Sequence, residues 1–184
     1  MSPPISRSVH LLSILIIGLA MTLLGISETW AQQKQTISYK NFGANTKYTQ
    51  QYAIDVGDVP GHQVRINEIH FTYPKDPPVF SGMRVVESWS RGYSDYTELN
   101  GRHWGYGFHI LENGDKIFYR NDGSSQTVVS ADGTKKSTAT GVTALTGGTG
   151  NFRGIHGTLR YVTIFDPKAG LNEGQTEGTY WIEE

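Results

Sequence analysis

The chain has 184 residues, with 16 Lys and Arg against 17 Asp and Glu, a formal net charge of −1. That balance, with no Lys/Arg cluster, argues against nucleic acid as a partner. There is no cysteine, which excludes disulfides, thiol nucleophiles and thiolate metal sites.

Arg7 and His10 open a mildly basic stretch, residues 11–26 are almost unbroken apolar, and Thr29-Trp30-Ala31 has a small-x-small pattern. This predicts a signal peptide over residues 1–31, cut after Ala31, followed by one domain over residues 32–184 that is secreted or periplasmic. An uncleaved N-terminal anchor is the competing reading, and the only route to a membrane. A polar leader, residues 32–36, precedes short strands over 37–42 and 48–56. Asp58-Val59-Pro60-Gly61 has turn residues. Residues 64–73 form a clear strand candidate, with Ile69, Phe71 and Tyr73 on one face, ended by Pro74 through Pro78.

Asn100-Gly101, Asn113-Gly114, Asp122-Gly123 and Asp132-Gly133 are hairpin dipeptides. They divide the middle of the chain into strands over 84–99, 102–112, 116–121, 126–130 and 136–146. Strands over 158–165 and 176–182 follow, with a loop between them at 166–172. Hairpin after hairpin without helical periodicity predicts an all-β, up-and-down antiparallel fold. About eight main strands is the number at which a small barrel closes, so a closed barrel is the expected architecture.

Residues 142–161 carry the densest local signal. An alternating run breaks into Gly147-Gly148-Thr149-Gly150, a bridge follows with Phe152 as its one large apolar residue, and Gly154 and Gly157 precede a second alternating run. The glycines permit positive φ and close backbone approach, and Phe152 is expected to anchor the loop over the barrel end. Three residues separate Gly150 from Gly154 and no helix pattern follows, so this is not a dinucleotide fingerprint. The segment Gly147, Gly148, Gly150, Phe152, Gly154 and Gly157 resembles the corresponding stretch of the allene oxide cyclase and dirigent barrel superfamily. The resemblance covers this segment and the strands beside it. It implies a barrel that binds and orients a small apolar or phenolic intermediate, as a cyclase or isomerase or as a dirigent-like protein.

Strand parity selects the candidate site residues. Glu87, Trp89, Arg91, Tyr93 and Asp95 share one face, and Arg84, Val86, Ser88, Ser90 and Ser94 share the other. A wall of aromatics with a few polar groups suits a small ligand. Glu87 or Asp95 is the expected acid/base and Arg91 the charge stabiliser. Tyr93 is expected to orient a ligand, Trp89 to supply a wall, and Tyr119 to reach the cavity mouth. The competing reading is a solvated face with cross-strand ion pairs over aromatic stems. On the next strand Trp104, Tyr106, Phe108 and Ile110 oppose His103, Gly105, Gly107 and His109. The glycines thin that face, leaving space for a ligand or a neighbouring ring. His103 and His109 lie roughly 20 Å apart along a strand, too far to share a metal. Neither a metal nor an organic cofactor is expected. The alternative functions are a non-catalytic ligand-binding barrel, a homo-oligomer packed through Trp104 and Tyr106, and carbohydrate binding on aromatic platforms.

Overall fold

A computed structural model describes residues 33–166 and 169–183. The expected signal segment and its cleavage point lie outside the described residues. The elements are β1 (Gln35–Asn41), β2 (Thr46–Asp55), β3 (His62–Thr72), β4 (Val79–Phe80), β5 (Met83–Thr97), β6 (Asn100–Leu111), β7 (Lys116–Val129), β8 (Lys135–Gly148), β9 (Ile155–Asp166) and β10 (Leu171–Ile182). Short 3-10 turns occupy Gly43–Asn45 and Gly150–Phe152.

All pairings are antiparallel, in the order β1-β10-β9-β8-β7-β6-β5-β3-β2, with β4 appended to β5. The expected eight-stranded closed barrel is corrected by this topology. The path is open: β1 pairs with β10, β2 pairs with β3, and no ladder joins β1 to β2. The reason lies in β2. It is exposed over most of its length, it carries Lys47 and glutamines, and its register slips between Tyr48 and Gln50. A polar, bulged strand resists further pairing at its free edge. Side chains reach across where the ladder does not. Asn172 Nδ2 donates to Tyr48 Oη at 3.1 Å, and Gly43 N donates to Glu173 Oε2 at 3.4 Å.

Only some of the hairpin dipeptides make turns. Gly114 (φ 85°) and Gly133 (φ 82°) sit in the β6–β7 and β7–β8 connections. Asp122-Gly123 lies in the middle of β7, which runs unbroken through two predicted strands. The β5–β6 turn is Glu98-Leu99, both at positive φ, while Asn100 donates to the Thr97 and Glu98 carbonyls. Gly101 instead lies in β6, where a Cβ would fall 2.1 Å from the Asp95 carbonyl oxygen.

Two apolar clusters lie along the buried face. The larger joins Ile37, Phe80, Val85, Leu111, Ile117, Leu145, Phe152, Ile155, Leu159 and Tyr180. Phe152, 1% exposed, is held there by its 3-10 turn, with its N–H on the Thr149 carbonyl. The smaller cluster gathers Tyr96, Ala139 and Phe165, with Leu99 and Tyr161 against it. A polar, tyrosine-rich stretch of the same face also borders a cavity.

Candidate functional site

The cavity has a volume of about 240 Å³. Register places its lining in successive rows. Ser88 pairs with His109, Ser90 with Gly107, Gly92 with Gly105 and Ser94 with His103. On the far side of β6, Gly107 faces Tyr119 and Gly105 faces Asn121. Small residues on β5 and β6 make room for rings carried by other strands. A Cβ on Gly107 would fall 2.3 Å from the Tyr119 ring, so glycine lets that ring lie across β6 and donate to the Trp89 carbonyl at 3.2 Å. Gly123 and Gly141 do the same for Tyr161, whose hydroxyl a Cβ at either would meet within 2.5 Å.

Two histidines on this face are wired differently. His103 sits between two phenols, Nδ1 at 2.8 Å from Tyr96 Oη and Nε2 at 2.6 Å from Tyr161 Oη. Burial lowers its pKa, so it is neutral at pH 7, donating to one tyrosine and accepting from the other. His109, 2% exposed, heads a chain. Its Nδ1 is 2.6 Å from Ser88 Oγ, which is 3.1 Å from Tyr73 Oη, which donates to Asn41 Oδ1 at 3.1 Å.

The direction of that chain follows from counting hydrogens. An amide oxygen only accepts, so the Tyr73 hydrogen goes to Asn41. The Ser88 hydrogen then serves the Tyr73 contact, and the His109 contact requires Nδ1–H as donor. His109 is therefore the Nδ1–H tautomer, with a bare lone pair on Nε2. Burial pushes its pKa down to about 4, so the lone pair persists at neutral pH. Among the described residues, His109 Nε2 and Asn121 Oδ1 are the buried side-chain polar atoms without a hydrogen-bond partner, and both residues line the cavity. Buried polar atoms without partners cost stability, so an unmatched pair calls for a reason. The same polarity argues against acyl transfer, because Ser88 donates away from the imidazole and the imidazole cannot take its proton.

Burial raises the pKa values of the surrounding tyrosines: Tyr39 up to about 12, and Tyr73, Tyr96, Tyr119 and Tyr161 also upward. They remain phenols, able to donate.

The residues selected by parity lie mostly on the other face. Glu87 accepts from or pairs with His70 Nε2 at 2.6 Å, Arg91 Nη2 meets Glu68 at 2.9 Å, and Asp95 is 2.7 Å from His62 Nε2. Trp89 stacks on His70 with centroids 4.1 Å apart, and Arg91 lies over Phe108. Glu87, Arg91, Asp95 and Trp89 do not border the cavity, whereas Tyr93 and Tyr119 do. Parity divided β5 into its two faces. The residues it left aside, Ser88, Ser90, His103, His109 and Asn121, belong to the cavity. The available signal was the run of small residues opposite histidines, which marks a face with room rather than one packed with apolar bulk.

No protein-family model matches the chain, and no curated protein matches it. With the sheet open and neither comparison giving a match, the cyclase, isomerase or dirigent activity implied by the glycine-rich segment has no support in sequence or fold, and that expectation is withdrawn along with the barrel.

Proposed function

We propose that this domain binds a small aromatic molecule, one that carries a hydrogen-bond donor, in the cavity of the buried face. The observation that carries the reading is a space of about 240 Å³ walled by tyrosines, whose lining includes His109, held by the Ser88–Tyr73–Asn41 chain with Nε2 as a bare acceptor. A dry cavity of about 150 Å³ holds benzene, so this one has room for a molecule of two rings. Tyrosines supply flat apolar walls, and the bare acceptors select a phenol or an N–H over a hydrocarbon, because an unmatched buried acceptor penalises the wrong ligand. Among the described residues of the lining there is no carboxylate to partner His109, which supports binding over acid–base chemistry.

The test is titration calorimetry with a neutral probe, 4′-hydroxybiphenyl-4-carboxamide. Saturable binding is expected, weakened at least about tenfold in His109→Phe, where the acceptor is lost and the ring retained. Thr143→Trp, which fills the space, is expected to block it. Absence of binding by the folded wild type, or binding unchanged by both variants, overturns the reading.

A further inference from the structure

Among the described residues, the cavity lining contains one side chain that is charged at neutral pH, Arg65, and no Asp, Glu or Lys. Arg65 lies on β3 with Ala53 and Ser94 as its register partners, so small side chains flank it on both ladders. Gln63 holds it on one edge: its Oε1 accepts from Arg65 Nε at 3.0 Å and from Nη2 at 2.5 Å. That uses two of the five guanidinium N–H groups and fixes the plane of the group. The Nη1 pair and the second Nη2 hydrogen remain, in the fork geometry that matches a carboxylate. Among the described residues, no carboxylate forms an ion pair with Arg65. The charge is nevertheless felt inside the cavity, where it opposes the upward shift that burial imposes on Tyr48 and Tyr96.

We infer that Arg65 is the anion-binding end of this cavity, and that the ligand is an elongated hydroxyaryl carboxylic acid. The inference rests on the binding reading above and adds the polarity of the ligand. Ser88 marks the row of His109 and Ser94 the row of Arg65 on the same strand, roughly 20 Å of backbone apart. Asn121 lies between them, in the row of Gly92 and Gly105. The long Arg65 side chain and a hydrogen bond at each end take up part of that separation and a two-ring acid the rest, so an acid group at one end and a hydroxyl at the other meet complementary partners in order. A carboxylate fits better than a phosphate monoester, because a single cation would leave the second negative charge of a phosphate uncompensated in a partly buried site.

The experiment compares 4′-hydroxybiphenyl-4-carboxylate with its carboxamide at pH 7 by titration calorimetry. The acid is expected to bind at least about tenfold more tightly than the amide to the wild type, the scale of a charge-assisted pair. That preference is expected to vanish in Arg65→Gln and to survive in part in Arg65→Lys, which keeps the charge without the planar fork. If acid and amide bind the wild type equally, the Arg65 inference falls while the cavity reading stands. If the preference persists unchanged in Arg65→Gln, the inference also falls. If neither molecule binds the folded wild type, the binding reading fails and this inference fails with it.

Discussion

The two faces of β5 and β6 handle polar groups in opposite ways. On the outward face each acid has a partner within reach: Glu68 with Arg91, Glu87 with His70, Asp95 with His62. These contacts are partly solvated, which limits what each contributes. On the buried face the polar groups other than Arg65 are neutral, mostly held in chains of serine, histidine and tyrosine, and two acceptors are left bare. Charge density on a strand face is thus a poor guide to where a site lies. Here the charged face satisfies itself, and the quiet face carries unfilled hydrogen-bonding capacity.

The sharpest way to break that contrast is to remove the room on the quiet face. Gly107→Val places a side chain where the Tyr119 ring and the Trp89 carbonyl already lie. A loss of about 3 kcal/mol is expected from overpacking, read as a lower denaturation midpoint. A midpoint within error of the wild type would show that Tyr119 moves aside freely and that the glycine has no packing role.

The next contrast is acid stability. His109 has a folded pKa of about 4 against an ordinary value near 6.5. The unfolded chain therefore binds the proton first. Stability from this residue is full above pH 6.5, declines as pH falls, and levels off below pH 4. The shift corresponds to about 3 kcal/mol across that window. His109→Phe is expected to flatten the slope of unfolding free energy between pH 6.5 and 4. An unchanged slope would place the acid sensitivity elsewhere.

Much of this arrangement was legible before any coordinates. The alternation over 84–99 and 102–112 predicted β5 and β6 within about two residues and sorted their side chains into two faces from Glu87 onward; Val86, expected beside Ser88, is exposed instead, because a bulge between Val85 and Glu87 turns Val85 inward. Asn113-Gly114 and Asp132-Gly133 marked real turns. Alternation cannot say which face turns inward, and here the usual cue was misleading, since Trp89 and Tyr93 are larger than the serines opposite on β5, and Trp104 is larger than the glycines opposite on β6. The inward face is polar and small because Tyr119 and Tyr161 arrive from β7 and β9 to fill it, and that depends on register. Asp122-Gly123 failed as a turn for the same reason: its glycine accommodates Tyr161 and His103. Closure was misjudged because strand number alone does not close a sheet; the end strands must also offer free edges to each other, and β2 does not. Arg65 shared the parity of Ile69 and Phe71, yet nothing local distinguished it from any other arginine on a strand.

On the outward face, Arg91→Ala breaks the ion pair with Glu68 and the contact with Phe108. The guanidinium is more than half exposed, so a loss below about 1 kcal/mol is expected. Binding of 4′-hydroxybiphenyl-4-carboxamide is expected to stay within about twofold of the wild type, as Arg91 does not line the cavity. A tenfold loss of binding with stability intact would move the site to the outward face and restore Arg91 to the role that strand parity suggested.

The smallest effect separates the two kinds of histidine. His62 lies between Asp95, at 2.7 Å from Nε2, and Asp58, at 2.6 Å from Nδ1. Hydrogen bonding to Asp95, and then to Asp58, raises its pKa above the ordinary value. The sign is opposite to that of His109. Whatever stability the clip gives is full below the unfolded pKa and is lost as pH rises through the folded one. The clip ties the β2–β3 turn to β5, so its release is a local event at the end of the hairpin. Proton NMR titration is expected to show His62 titrating above pH 6.5 while His109 stays neutral until near pH 4. In Asp95→Asn the His62 midpoint should fall and the His109 midpoint should not move, because the two residues report on opposite faces of the same strand. A His109 midpoint that followed the Asp95 substitution would mean that the faces are electrostatically coupled through β5, and that the bare Nε2 is set by outward charge as well as by burial.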